Sequence, residues 1–296
     1  MKIQFINGGL ANQVFQYIFV RHAELANPGQ EKWYFDDSFF DVVDIHNGYE
    51  LERVFGIKAN LLSKYFEPDV WEEFIRLKKE GKSVPQTLKD FGMDIAMYAE
   101  TSNHAQFNPF DGQIVTFYNA NEFHPDLTRL QYPNIYYHGY WINKNWLATY
   151  REPILKELTF PAITLPSAID YANRILSESV AAVHIRRGDY IDIGWDLGCT
   201  YYEKTIRELS EKYSGFSLFV FSDDLPWCQE HAKELGLHYA KEVVYVSGNT
   251  GQNSYIDMQL MSMCQGMIIS NSAFSYLAAL MNNRLTFYAN PTSREI

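Results

Sequence analysis

Residues 179–185, Ser-Val-Ala-Ala-Val-His-Ile, run straight into Arg186-Arg187-Gly188-Asp189-Tyr190. A short apolar run rich in β-branched residues reads as a strand buried on both faces, and the polar residues that end it read as a loop. The same alternation extends outward on both sides. A helix over 167–177 precedes it. After a loop over 186–198 come a helix over 201–213, a strand over 217–221 and a loop over 222–224. They are followed by a helix over 226–235, a strand over 242–246 and a loop over 247–253. A helix over 255–264, a strand over 266–270, a helix over 275–281 and a strand over 284–288 complete the series. Strands alternating with helices predict parallel sheet with helical crossovers, and each polar motif falls where open parallel sheets bind ligands. The start of the chain has the same rhythm: strand 2–6, a turn at Asn7-Gly8-Gly9, helix 12–26, then a strand over 32–35 closing into Asp36-Asp37. Residues 50–150 are less regular, with a Lys/Glu-rich helix around 70–80, a strand over 134–140 and a helix from about 144. Pro161 and Pro166 bracket a polar, turn-rich stretch that reads as a linker. The expected architecture is α/β, two Rossmann-like domains facing a cleft, divided as 1–160 and 161–296.

Composition narrows the function. The chain has 296 residues, 47% hydrophobic and 21% charged, which excludes a disordered or fibrous protein. Its net charge of −11 is spread evenly, with 13 basic and 19 acidic residues in 1–150 and 12 and 17 in 151–296. No basic stripe is present, so nucleic acid is not an expected partner. Cys199, Cys228 and Cys264 show no metal-ligand spacing, which excludes a disulfide framework or zinc ribbon and points to a reducing compartment. Charged and polar residues interrupt the N-terminus too early for a signal peptide, and no run of 18 apolar residues exists. The expectation is a cytoplasmic protein without a transmembrane segment, at most peripheral to the inner face of a membrane.

Four loops can carry chemistry. Asn7-Gly8-Gly9-Leu10-Ala11-Asn12-Gln13 lacks the third glycine of a dinucleotide fingerprint, which leaves a tight turn or a substrate-binding loop. In the loop after residue 185, arginine supplies the fork that suits phosphate oxygens, or a structural ion pair with Asp189 or Asp192. Strand alternation would point His184 and Arg186 to one face and Arg187 to the other. Asp223 and Asp224 can hold a ribose, a guanine edge or a metal, or cap the helix that starts near Pro226. They lack Asp-x-Asp spacing. Ser270-Asn271-Ser272-Ala273-Phe274-Ser275 offers hydroxyls and amides to an anion at a helix start, or a simple cap.

Taken in order, these motifs resemble glycosyltransferase family 11 in its bacterial form, the α-1,2-fucosyltransferases. The resemblance runs from Gly8 to Tyr17, through His184 to Tyr190, Cys199-Thr200-Tyr201-Tyr202, Phe221 to Asp224, and Asp257-Met258 with Leu260-Met261-Ser262, to Ile269 through Ser275. Ala11 and Val14 stand where the family usually has Gly and Met, and Ala273 where it has Ser. Tyr276-Leu277 stand where it has aromatics. The resemblance implies a B-type glycosyltransferase fold and inverting transfer of fucose from GDP-β-L-fucose to the 2-hydroxyl of a terminal galactose. The acceptor would be an oligosaccharide or lipid-linked glycan. No cofactor and no metal are implied, GDP-fucose being the donor substrate. Arg186 would contact the diphosphate, and His184 with Asp223 or Asp224 would hold the nucleoside. Ser270 and Ser272 would bind phosphate, Gly9 and Asn12 would line the cleft from the other domain, and Asp189 or Asp192 would act as general base. Tyr140, Trp141 and Trp195 form a galactose platform or part of the core. Two other readings stand beside this one: an inverting GDP-sugar transferase with another acceptor or linkage, and a sugar-nucleotide-binding protein without turnover.

Overall fold

A computed structural model describes residues 1–29, 32–101 and 116–292, and its contacts separate into two units, Met1–Thr159 and Phe160–Ile296. In the first unit the short runs Lys2–Phe5 (β1), Trp33–Asp36 (β2), Ala96–Thr101 (β3), Thr116–Asn119 (β4) and Ile135–His138 (β5) form one parallel sheet. Its order is β2-β1-β5-β3-β4. The helix Leu10–Ala26 packs on it with most of its length buried. Phe19 of that helix meets the rings of Trp33, Tyr137, Trp141 and Trp146. Much of the aromatic surplus therefore goes into the core, where large rings give the most buried apolar area per residue. β3 and β4 are absent from the sequence expectation. Both are short, and β3 is only alternately buried, so neither shows a continuous apolar run.

The second unit holds Val180–Ile185 (β6), Ser217–Ser222 (β7), Glu242–Tyr245 (β8), Gly266–Ile268 (β9) and Phe287–Ala289 (β10), all parallel. The order β10-β9-β6-β7-β8 is the doubly wound Rossmann order 3-2-1-4-5, counted from β6 as the first strand. Every residue of β6 is buried, as its mostly apolar sequence requires, with His184 as the one polar side chain among them. Several boundaries differ from expectation. The loop over 186–198 contains a short helix, Gly188–Asp192. The helix expected over 226–235 is Leu225–Glu230, and the chain then turns to Gly236, whose φ of 77° suits glycine. The helix expected over 255–264 stops at Met261. The last strand starts at Phe287 rather than 284, because the Arg284 amide is bound by the Asn282 side chain in a turn (2.7 Å). Among the described residues no helix is long and apolar enough to cross a membrane.

Candidate active site

From β6 the chain proceeds outward to β7 and β8, then returns to the opposite side of β6 for β9 and β10. The carboxyl ends of β6 and β9 therefore flank a topological switch point, where open α/β sheets form a ligand crevice. Four of the predicted residues lie here. His184, on β6, places Nδ1 2.9 Å from the hydroxyl of Ser270, just after β9. Ser270 Oγ also accepts the Ser272 amide at 3.3 Å. The arrangement that satisfies all three groups has the Ser270 hydroxyl donating to Nδ1, which leaves Nε2–H as a donor. Burial, and then the Arg186 charge, push the imidazole down to about 3, so the ring is neutral near pH 7. Ser272 caps the helix Ala273–Met281 by accepting the Phe274 amide at 3.3 Å. That commits its hydroxyl to the helix while the helix amino end still carries its partial positive charge.

Arg186 and Arg187 do not alternate on a strand, since β6 ends at Ile185. Their separation is set by the loop. Arg186 faces Asp189 at 2.5 Å and Asp223 at 3.0 Å, with its guanidinium near the Tyr190 ring. Arg187 turns inward: its guanidinium lies 3.6 Å from the Trp227 ring and bonds Asp224 and Asp196, both at 3.2 Å. Its side chain is only 13% exposed, so it is a structural hub of this loop. Asp224 accepts the Trp227 amide as a helix cap. Asp223 accepts the Arg187 amide at 2.9 Å and reaches Arg186 with its other oxygen. The two aspartates thus meet different guanidiniums. Asp192, at the end of the helix Gly188–Asp192, is exposed, whereas Asp189 in its first turn is held by Arg186.

In the first unit Gly8 adopts φ 76°, and a Cβ there would meet Asn12 Nδ2 at 2.6 Å. The positive φ favours glycine, and any larger residue would also displace the Asn12 amide. The helix begins at Leu10 with Gly9 as an extended cap, which puts Asn12 inside its first turn. Gln13 and Gln16, missed in the sequence reading, hold this loop. Gln13 donates to the Gly8 and Gly48 carbonyls at 2.9 Å and accepts the Glu50 amide. Gln16 bonds Asn7 through both main chain and side chain. The available signal was two glutamines three apart within a mostly apolar helical segment; the structure buries both. Of the three rings read as platform or core, Trp141 is core: it is buried and stacked 4.5 Å from Phe19. Tyr140 is exposed in the first unit and Trp195 in the second.

The family model for glycosyl transferase family 11 matches residues 118–295, a stretch that includes the arginine, aspartate and serine loops. An α-1,2-colitosyltransferase of Escherichia coli is 34% identical over 151 residues, covering 49% of this chain; the match spans about half the relative's length (50%). The O-antigen biosynthesis glycosyltransferase WbnK of Escherichia coli is 26% identical over 293 residues, 94% of this chain and 89% of the relative. The fucosyltransferase NodZ from Bradyrhizobium shares the fold, with a TM-score of 0.52 at 12% identity over 95% of this chain and 92% of that one. The two Rossmann-like units are those of the B-type glycosyltransferase fold.

Proposed function

The chain belongs to glycosyl transferase family 11, and on that premise we propose that it moves L-fucose from GDP-β-L-fucose, with inversion, to the 2-hydroxyl of a terminal galactose. One observation carries the reading: the Arg186 guanidinium, the neutral His184 and the amino end of the helix Ala273–Met281 converge at the switch point of the second sheet. As the bond from fucose C1 to the β-phosphate oxygen breaks, negative charge grows on the diphosphate. A fixed guanidinium and helix amides stabilise that charge more in the transition state than in the ground state. The diphosphate replaces Asp189 on the Arg186 fork, since phosphate accepts the same bidentate geometry. Asp189 is then free to take the proton from the galactose hydroxyl as its oxygen bonds C1. Asp223 keeps Arg186 aimed.

We infer further that transfer needs no metal. In support, Asp223 and Asp224 answer to different guanidiniums, and among the described residues no three His, Cys, Asp or Glu side chains come together as a ligand set. The acceptor is a galactose-terminated oligosaccharide or lipid-linked glycan, met at the cytoplasmic face of the membrane. The colitosyltransferase relative favours a second reading, in which the same site takes a colitosyl donor. Incubation with lactose and either GDP-fucose or GDP-colitose, with the product linkage read by NMR, tests both. An α-1,2 product is expected. Linkage to another hydroxyl, or no sugar transferred from either donor, overturns the proposal.

A further inference from the structure

The first sheet has its own switch point. The chain leaves β1 for β2 on one side, crosses to β3 and β4 on the other, and adds β5 last, next to β1, so the carboxyl ends of β1 and β5 flank a second crevice. Asn7 follows β1 and Tyr140 follows β5, and the Asn7 amide donates to the Tyr140 hydroxyl at 3.3 Å across that point. The turn that carries Tyr140 is strained and heavily clamped. Trp141 has φ 55°, a left-handed value that is rare and strained for a bulky residue. Glu100 Oε2 accepts the amides of both Tyr140 and Trp141, at 2.8 and 2.9 Å. Gln4 and Gln16 donate to the Gly139 carbonyl, and the Trp141 indole donates to Gln4. A Cβ at Gly139 would lie 2.7 Å from Glu100 Cβ and 2.8 Å from the Trp141 ring, so the turn closes only around glycine.

These constraints seat Trp141 in the core and at the same time fix the neighbouring Tyr140 ring, left 40% exposed at the crevice. Strain held by over-determined surroundings is typical of ligand-presenting positions. The groups gathered here are the Asn7 amide on the loop after β1, the Tyr140 ring on the turn, and the Glu100 carboxylate from β3. That set suits a neutral polyhydroxyl ligand rather than a phosphate, which calls for arginine.

Resting on the transferase reading above, we propose that Tyr140 is the stacking platform for the acceptor sugar, a galactopyranoside, and that Glu100 is the residue that positions it. The ring covers the apolar C–H face of the sugar, and the Glu100 clamp sets the ring's angle.

The intact enzyme tests this with acceptor and donor kinetics measured separately. Tyr140→Ala should raise acceptor KM about tenfold or more, the loss of one well-placed ring contact, and leave donor KM in place. Tyr140→Phe, which keeps the ring, should lose far less. Glu100→Ala should raise acceptor KM as Tyr140→Ala does. Glu100→Gln should restore it, because the amide oxygen still accepts both backbone N–H groups. Saturation-transfer NMR of methyl β-galactoside gives a reading without any donor: signal with the wild type and none with Tyr140→Ala. This separates failure of the inference from failure of the transferase reading. An unmoved acceptor KM in Tyr140→Ala, or a rise of donor KM equal to that of acceptor KM, overturns the proposal.

Discussion

Two adjacent arginines with the same chemistry have opposite work because one is exposed to carboxylates at a rim and the other is stacked under a tryptophan. Arg186→Lys should lower kcat by ~10²–10³ while the melting temperature stays near that of the wild type, since a point charge cannot replace the fork on a diphosphate. Arg187→Lys should behave the other way. It loses the stack on Trp227 and the bonds to Asp224 and Asp196, which should cost roughly 1–3 kcal/mol of stability in a denaturant titration. Loss of activity without loss of stability in Arg187→Lys would contradict this division. His184 adds a pH signature. Its imidazole takes a proton near pH 6.5 when unfolded but only at about pH 3 when folded. The unfolded chain therefore binds more protons in this window, and stability falls as pH drops from about 6.5 toward 3. The loss in urea midpoint between pH 7 and pH 5 should be smaller in His184→Asn than in the wild type.

At the scale of elements, the short helix Gly188–Asp192 positions the Arg186 pair. A Cβ on Gly188 would sit 2.5 Å from Asp223 Oδ2, so Gly188→Ala should push that carboxylate away from Arg186. The expected result is a fall of about tenfold in kcat/KM for the donor with little change in melting temperature; unchanged kinetics would remove Asp223 from the aiming role. The helix Tyr255–Met261 carries Asp257, which bonds Asn249 at 2.8 Å and is pushed up to about 7 by burial. Its native form holds a proton that the unfolded chain has already released, so its contribution declines as pH rises from about 4 toward 7. Asp257→Asn should therefore raise the melting temperature at pH 8 by roughly 2–4 °C, and an unchanged or lower value there would show that the buried charge is compensated. The elements themselves were readable where they were locally marked. β6, β7 and the helix Leu10–Ala26 are long apolar runs or periodic segments, whereas β3 and β4 depend on pairing with β5 and with each other.

For the whole molecule, on the proposed function, the positive potential offered to a leaving diphosphate would come from Arg186 and a helix terminus inside a chain of net charge −11. If those donors suffice, EDTA should change the initial rate by less than about twofold, far below the ~10²–10³ that loss of one such donor costs. A collapse of activity restored by Mg²⁺ or Mn²⁺ would instead make Asp223 and Asp224 ligands.

The sequence by itself determined the α/β class, the family, and where polar loops end the strands of the second sheet, because a buried parallel strand needs a mostly apolar run and its end is marked by polar residues. These are short-range properties, read within a dozen residues. Partnerships within those loops were decided only by the tertiary structure. Arg187 lies under Trp227, Asp224 caps a helix, and Trp141 is in the core while Tyr140 beside it is exposed. Each of these depends on which strands become neighbours. The order β10-β9-β6-β7-β8 brings Ser270 to His184 across 86 residues, and the order β2-β1-β5-β3-β4 brings Tyr140 to Asn7 across 133. No local pattern encodes those distances. They follow from packing two sheets whose helices must cover both faces.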